Sequence, residues 1–169
     1  MIEQFSDPNL VIFGKLLLAC VLGILVGTER SVVGKRAGTR TFALVALGAC
    51  LLIIISSNVT SQYLGIVSFD PMRVTSGIVT GVGFIGAGMI VFREQLLRGL
   101  TTAAGLWVAA AVGIAVGYGM YAVAVFTTIL TLAIFTLMWF FEFKMKQFFA
   151  VKNITKPDFG DDVGENSDE

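Results

Sequence analysis

Five apolar runs separated by short polar segments organise the chain: Leu10–Gly27, Thr41–Ser57, Val74–Phe92, Leu100–Gly117 and Met120–Phe141. A helix rises 1.5 Å per residue, so crossing a bilayer's hydrocarbon core takes about 20 apolar residues. All five runs reach or approach that length, and the pattern predicts five transmembrane helices. Only Tyr118-Gly119 divides the fourth run from the fifth, with Gly117 and Gly119 available for the turn; the two form a tight helical hairpin or one long broken helix. Asp70-Pro71 before the third run is a helix start, because Asp accepts backbone N–H groups and Pro at the first helical position forfeits no useful donor. Thr101 offers the same service to the fourth run.

Composition turns this pattern into a class. A 56% hydrophobic content and a mean hydropathy of +0.84 over 169 residues exceed what a soluble core of that size can hide. The chain is therefore expected to be an all-α integral membrane bundle. Net charge is zero, yet Asp158, Asp161, Asp162, Glu165, Asp168 and Glu169 crowd the last residues, leaving a basic body. Arg30, Lys35, Arg36, Arg40, Arg93, Arg98, Lys144, Lys146, Lys152 and Lys156 all fall on one side of five spans, which predicts the N-terminus outside and the C-terminus in the cytoplasm. The exceptions are Arg73, on the outer side, and Lys15, whose long stem lets it snorkel to the outer interface. Residues 1–143 form the expected membrane domain and residues 144–169 a disordered tail, basic and then acidic. The tail's lysines suit anionic headgroups.

Several functions are excluded. Basic residues lie in short clusters between apolar runs, unlike a nucleic-acid footprint. With no histidine, zinc chemistry and Ser-His or Cys-His catalysis lose their commonest component, so no enzyme is expected. Cys20 and Cys50 lie inside apolar runs as small hydrophobes. The first run lacks a positive n-region and reads as a retained helix, and it continues unbroken past the lipobox-like Leu17-Leu18-Ala19-Cys20.

Small residues recur at helical spacing. Thr101, Gly105, Ala109, Gly113 and Gly117 mark one face of run four; run three carries Gly77, Gly81, Gly83, Gly86 and Gly88; Gly23 and Gly27 close run one. Such stripes let helix backbones approach closely, and glycine costs a helix about 1 kcal/mol relative to alanine, so the five glycines of Gly77–Gly88 point to close packing, a bend or a ligand approach. Gly81-Val82-Gly83-Phe84-Ile85-Gly86 matches the dinucleotide fingerprint in letters only, since it sits inside an apolar run with no preceding strand.

Charged residues at the membrane edges are the functional candidates. Arg73, a cation in a helix's first turn, opposes the macrodipole. Two readings stand: it pairs with Asp70, or both face a polar cavity with Thr75, Ser76 and Thr80. At the opposite edge Glu29, Arg30, Arg40, Thr101 and Thr102 share one depth, where the N–H groups opening run four would attract an anion or the Glu29 carboxylate. No cofactor is implied. Mg²⁺ takes oxygen ligands and keeps several waters, so one or two carboxylates can suffice for it, with Asp70 a weak candidate; Asp70, Glu29 and Glu94 are a thin supply unless oligomerisation pools them.

Gly27-Thr28-Glu29-Arg30, Ala37-Gly38-Thr39-Arg40-Thr41, Asp70-Pro71-Met72-Arg73, Gly81 through Gly88, and Gly99-Leu100-Thr101-Thr102-Ala103-Ala104 with Leu106-Trp107 occur in the order and spacing of the MgtC/SapB family. The chain resembles that family over about residues 10–140. The resemblance implies a multi-pass protein of the bacterial or archaeal inner membrane, associated with growth at low magnesium and, in some pathogens, survival inside host cells. It implies a regulator of other membrane proteins, the ATP synthase among them; the chain is expected to be a homo-oligomer of that kind, with an ion channel or carrier using Asp70/Arg73 and Glu29/Arg30 as the alternative. Glu29, Arg30, Gly38, Arg40, Asp70, Arg73, Thr101 and Thr102 stand at family motif positions. Two departures stand out. Gly77 replaces the glutamine many relatives carry four residues after the motif arginine, and a short acidic tail stands where many relatives continue into a soluble domain.

Overall fold

The computed structural model of the chain describes residues 7–35, 37–62, 70–93 and 96–154. Five helices follow one another: α1 (Pro8–Val32), α2 (Thr39–Gln62), α3 (Pro71–Met89), α4 (Leu100–Gly117) and α5 (Tyr121–Ile154). The predicted bundle is present. Helices α1, α2, α4 and the Tyr121–Met138 part of α5 are long and apolar enough to cross a membrane. At 19 residues α3 has the length too but is not among those four; Arg73 and its hydroxyl residues lower its hydropathy.

Close approaches fix how the helices run. Cβ atoms built at Gly23 and Gly27 would fall 2.7 Å from Phe42 O and Thr39 Cα, so α1 and α2 are antiparallel with their backbones almost touching. Gly105 faces Phe42, Gly113 faces Ala46 and Gly117 faces Ile53, so α4 runs parallel to α2. Gly86 lies by Ala103 and Thr75 bonds Tyr118, so α3 runs antiparallel to α4 along its length. Between these backbones lie three apolar clusters. Ala19, Leu22, Cys50, Val112, Val116 and Ala124 fill one end, Val26, Phe42, Leu106, Ala109 and Phe135 the other, and Ala49, Ile53, Ile78, Val82 and Ala110 lie under α3.

Two features differ from expectation. The third loop carries a short antiparallel pair, β1 (Val91–Arg93) with β2 (Leu96–Arg98), in register Val91 to Arg98; Val91 and Phe92 are residue types that suit extended backbone once the glycine-rich helix has ended. The tail expected to be disordered from residue 144 is helical through Ile154. Lys144, Met145, Lys146 and Gln147 are good helix formers, and no proline intervenes before Pro157. By packing, the chain divides into two units, Met1–Phe135 and Thr136–Glu169. In the second, the Lys144 ammonium lies 4.9 Å from the Phe140 ring centre. The acidic segment from Pro157 lies outside the described residues, as do Arg36 and Glu94.

Candidate functional site

At the Arg30 end, the last turn of α1, the first turns of α2 and α4 and Phe135 of α5 come together. Arg30 is buried, 4% exposed. Its guanidinium makes two bonds to the neighbouring Glu29 carboxylate, Nε to Oε2 and Nη2 to Oε1, the second at 2.6 Å. The same guanidinium lies 3.7 Å from the centre of the Phe135 ring. A planar fork and a π face together satisfy a cation that burial would otherwise penalise. Packing sets the ring's position, since a Cβ at Gly105 would sit 2.7 Å from Phe135 Cζ.

Beside this pair, Thr39 N–H donates to Ser31 Oγ at 3.0 Å, with the Thr39 hydroxyl 3.1 Å from the same oxygen. Ser31 thereby closes the start of α2, and any side chain on Gly38 would collide with it. Arg40 is exposed on the first turn of α2. The expected cap at Thr101 is absent: Gly99 occupies the N-cap in a left-handed conformation, φ 98°, with no side-chain hydrogen bond, and Thr101 is exposed one position inside the helix. Glycine takes that backbone without a Cβ penalty, which lets the chain turn from β2 into α4. Thr102 is buried. The structure thus places Glu29, Arg30, Arg40, Thr101 and Thr102 at one end of the bundle, and binds only Glu29 and Arg30 to each other.

At the opposite end the Asp70 side chain accepts the Met72 N–H at 2.8 Å and caps α3, as the sequence predicted. Asp70 and Arg73 are both exposed; the Arg73 N–H donates to the Asp70 carbonyl at 3.1 Å, while its guanidinium forms no ion pair or hydrogen bond with a described residue. Thr75 bonds the Tyr118 hydroxyl at 2.9 Å, while Thr80 donates to the Ser76 carbonyl one turn back. Lys15 does more than snorkel. Its ammonium donates to the Gly117 carbonyl at 3.1 Å, closing the C-terminus of α4 where a cation suits the helix dipole. Among the described residues no three of His, Cys, Asp and Glu gather as a metal site would require.

The predicted packing glycines separate into two sets. Gly105 and Gly113 lie in contact inside the bundle, and any Cβ on Gly113 would overlap the Ala46 carbonyl; Gly86 sits 3.7 Å from the Ala103 methyl. Among the described residues nothing lies within 4 Å of a Cβ at Gly77, Gly81, Gly83 or Gly88. Gly77 and Gly81 instead line an apolar groove of about 610 Å³ between α2 and α3, with Gly48, Leu52, Ile78 and Ile85. Near the groove's α3 face Phe84 is 83% exposed.

Ser31, Phe135 and Lys15 carry roles that residue patterns did not reveal. Each acts on a partner in another helix, and only the tertiary fold makes those pairs.

A sequence model described as the MgtC family matches residues 16–143. The chain is similar to the candidate magnesium transporter YhiD of Escherichia coli K12, 43% identical over 122 residues, 71% of this chain and 57% of that protein. It is 44% identical to protein MgtC of Salmonella typhimurium LT2 over 69% of this chain and 48% of the relative. With protein SapB of Bacillus subtilis 168 it shares 36% identity over 72% of this chain and 53% of SapB. The chain therefore spans about half the length of these curated relatives. No solved structure gives a significant match. A family match across most of the chain, on a helical bundle whose motif residues assemble at its two ends, makes this a multi-pass membrane protein of the MgtC family.

Proposed function

We propose that the chain serves magnesium homeostasis and adaptation to low magnesium in a bacterial or archaeal inner membrane, and that it acts by binding another membrane protein through its helices. The magnesium link rests on the YhiD relative's name and on the family. The observation that supports the binding mode is the apolar groove between α2 and α3, whose glycines meet no described residue. Lipid tails are as apolar as leucine, so helices associate in a bilayer through close backbone approach at small residues. A helix that carries several glycines at about 1 kcal/mol each, on a face its own bundle leaves open, offers that approach to an outside helix.

The charged residues favour the same reading over ion passage. Glu29 is engaged by Arg30 and the Asp70 carboxylate by a backbone N–H, so both are occupied structurally, at opposite ends of the bundle. Growth in low-magnesium medium of cells lacking their own family member separates the two. Leucine at position 81 fills the groove, and Gly81→Leu is expected to abolish rescue. Asp70→Asn removes the charge but keeps a capping oxygen, and is expected to preserve it. The opposite pattern, accompanied by Mg²⁺ entry into liposomes containing the purified chain, would assign the function to ion passage.

A further inference from the structure

A cavity of about 570 Å³ opens at the Arg30 end of the bundle, between the α1–α2 turn and the start of α4. Lys35 and Arg98 line it with Met89, Gly99, Thr101 and Thr102, and no described acidic residue does. Helix α4 begins at its wall. Gly99 provides no side-chain cap, and the first bond of the helix is from Ala103 N–H to the Gly99 carbonyl. The N–H groups of Leu100, Thr101 and Thr102 therefore have no intrahelical acceptor and none among the described residues.

A second observation is independent of the helix end. Thr102 is 5% exposed, yet its hydroxyl makes no hydrogen bond with a described residue. No fully enclosed side-chain oxygen or nitrogen among the described residues lacks a partner, so this hydroxyl keeps an opening, and the cavity is the space it borders. An almost buried donor, a bare helix N-terminus and two cations from different loops converge on one volume.

We propose that this cavity binds a phosphate group. A tetrahedral oxyanion takes several donors at once. Arg98 offers a bidentate fork, Lys35 a point charge, and the helix a set of N–H groups with the positive end of its dipole. The volume falls within the range of small-molecule sites and leaves room for an organic substituent on the phosphate. The position at a membrane edge gives the group two sources, a phospholipid headgroup or a free phosphate or phosphate ester. This inference does not rest on the proposed function.

The test uses the full chain in two arms. In the first, delipidated protein in detergent is titrated with inorganic phosphate and with glycerol 3-phosphate, and the melting temperature is followed. In the second, protein released from nanodiscs of phosphatidylglycerol or of phosphate-free digalactosyldiacylglycerol is weighed by native mass spectrometry for retained lipid. Stabilisation in the first arm identifies a soluble phosphate; retained phosphatidylglycerol without retained galactolipid identifies a headgroup. In whichever arm responds, each of Lys35→Gln and Arg98→Gln weakens binding about tenfold, and Thr102→Val, which keeps shape and burial, weakens it about threefold. Lys35 and Arg98 are exposed, so these variants fold, and unchanged helical circular dichroism checks it. Arg73→Gln, the same charge loss at the opposite end of the bundle, leaves binding of the soluble probes as it was. Absence of response in both arms, or a response that all three cavity variants leave intact, overturns the proposal.

Discussion

Arg30 shows how a charge is kept inside a membrane-edge site. Two bonds to Glu29 and the face of Phe135 replace the water it gave up. Removing one member of a buried pair leaves the other uncompensated, so Glu29→Gln is expected to cost about 3 kcal/mol, seen as a lower melting temperature in detergent. Arg30→Lys is expected to destabilise as well, because an ammonium cannot make both bonds or stack flat on the ring. Arg73 is the opposite case. Its guanidinium is without a partner among the described residues, and the residue is exposed and placed against the dipole of α3. Arg73→Gln should leave the melting temperature unchanged or slightly raised; a clear drop would reveal a partner. Legibility in the sequence follows the range of each interaction. The Asp70 cap is local, written in two adjacent residues, and was readable. The Lys15 bond to Gly117 joins residues 102 positions apart, and nothing in either segment announces the other. Gly99 as the α4 cap was missed because a left-handed glycine has no side chain to advertise the role, whereas Thr101 nearby looks like a cap and is not one.

At the scale of the helices, glycines that look alike in sequence have opposite energetics. Gly113 presses on the Ala46 carbonyl, so Gly113→Ala forces α2 and α4 apart and is expected to destabilise by about 2 kcal/mol. Gly81 meets no described residue, so Gly81→Ala gains helix propensity and is expected to stabilise the isolated chain by up to about 1 kcal/mol. Thermal melts of the two variants check the contrast in sign. Periodicity located both stripes and the five helices, because spacing along one helix is a property of that helix. Which stripe is covered depends on a neighbour's position. The sequence therefore marked α3 and α4 as equally suited to packing, while the fold uses α4 and leaves the α3 groove unfilled. The β1–β2 pair escaped notice because three-residue strands in a charged loop have no period to detect.

For the whole molecule, the helix directions put Arg30, Lys35, Arg40 and Arg98 at one end and Lys15, Asp70 and Arg73 at the other. We propose, from the positive-inside rule, that the first end faces the cytoplasm. Cysteine at position 120, in the exposed α4–α5 turn, should then react with an impermeant maleimide in intact cells, and cysteine at position 35 only after permeabilisation; reversed labelling would invert the orientation. Within that frame the α2–α3 groove is the surface on which the proposed function depends. Photo-cross-linking in living cells, with a benzophenone amino acid at Leu52 on the groove wall, tests it most directly. The expected result is an adduct containing a different membrane protein, absent when Gly77→Leu fills the groove and absent from a control probe at Ile129 on the exposed face of α5. Adducts only between copies of the chain, or adducts indifferent to Gly77→Leu, would contradict it.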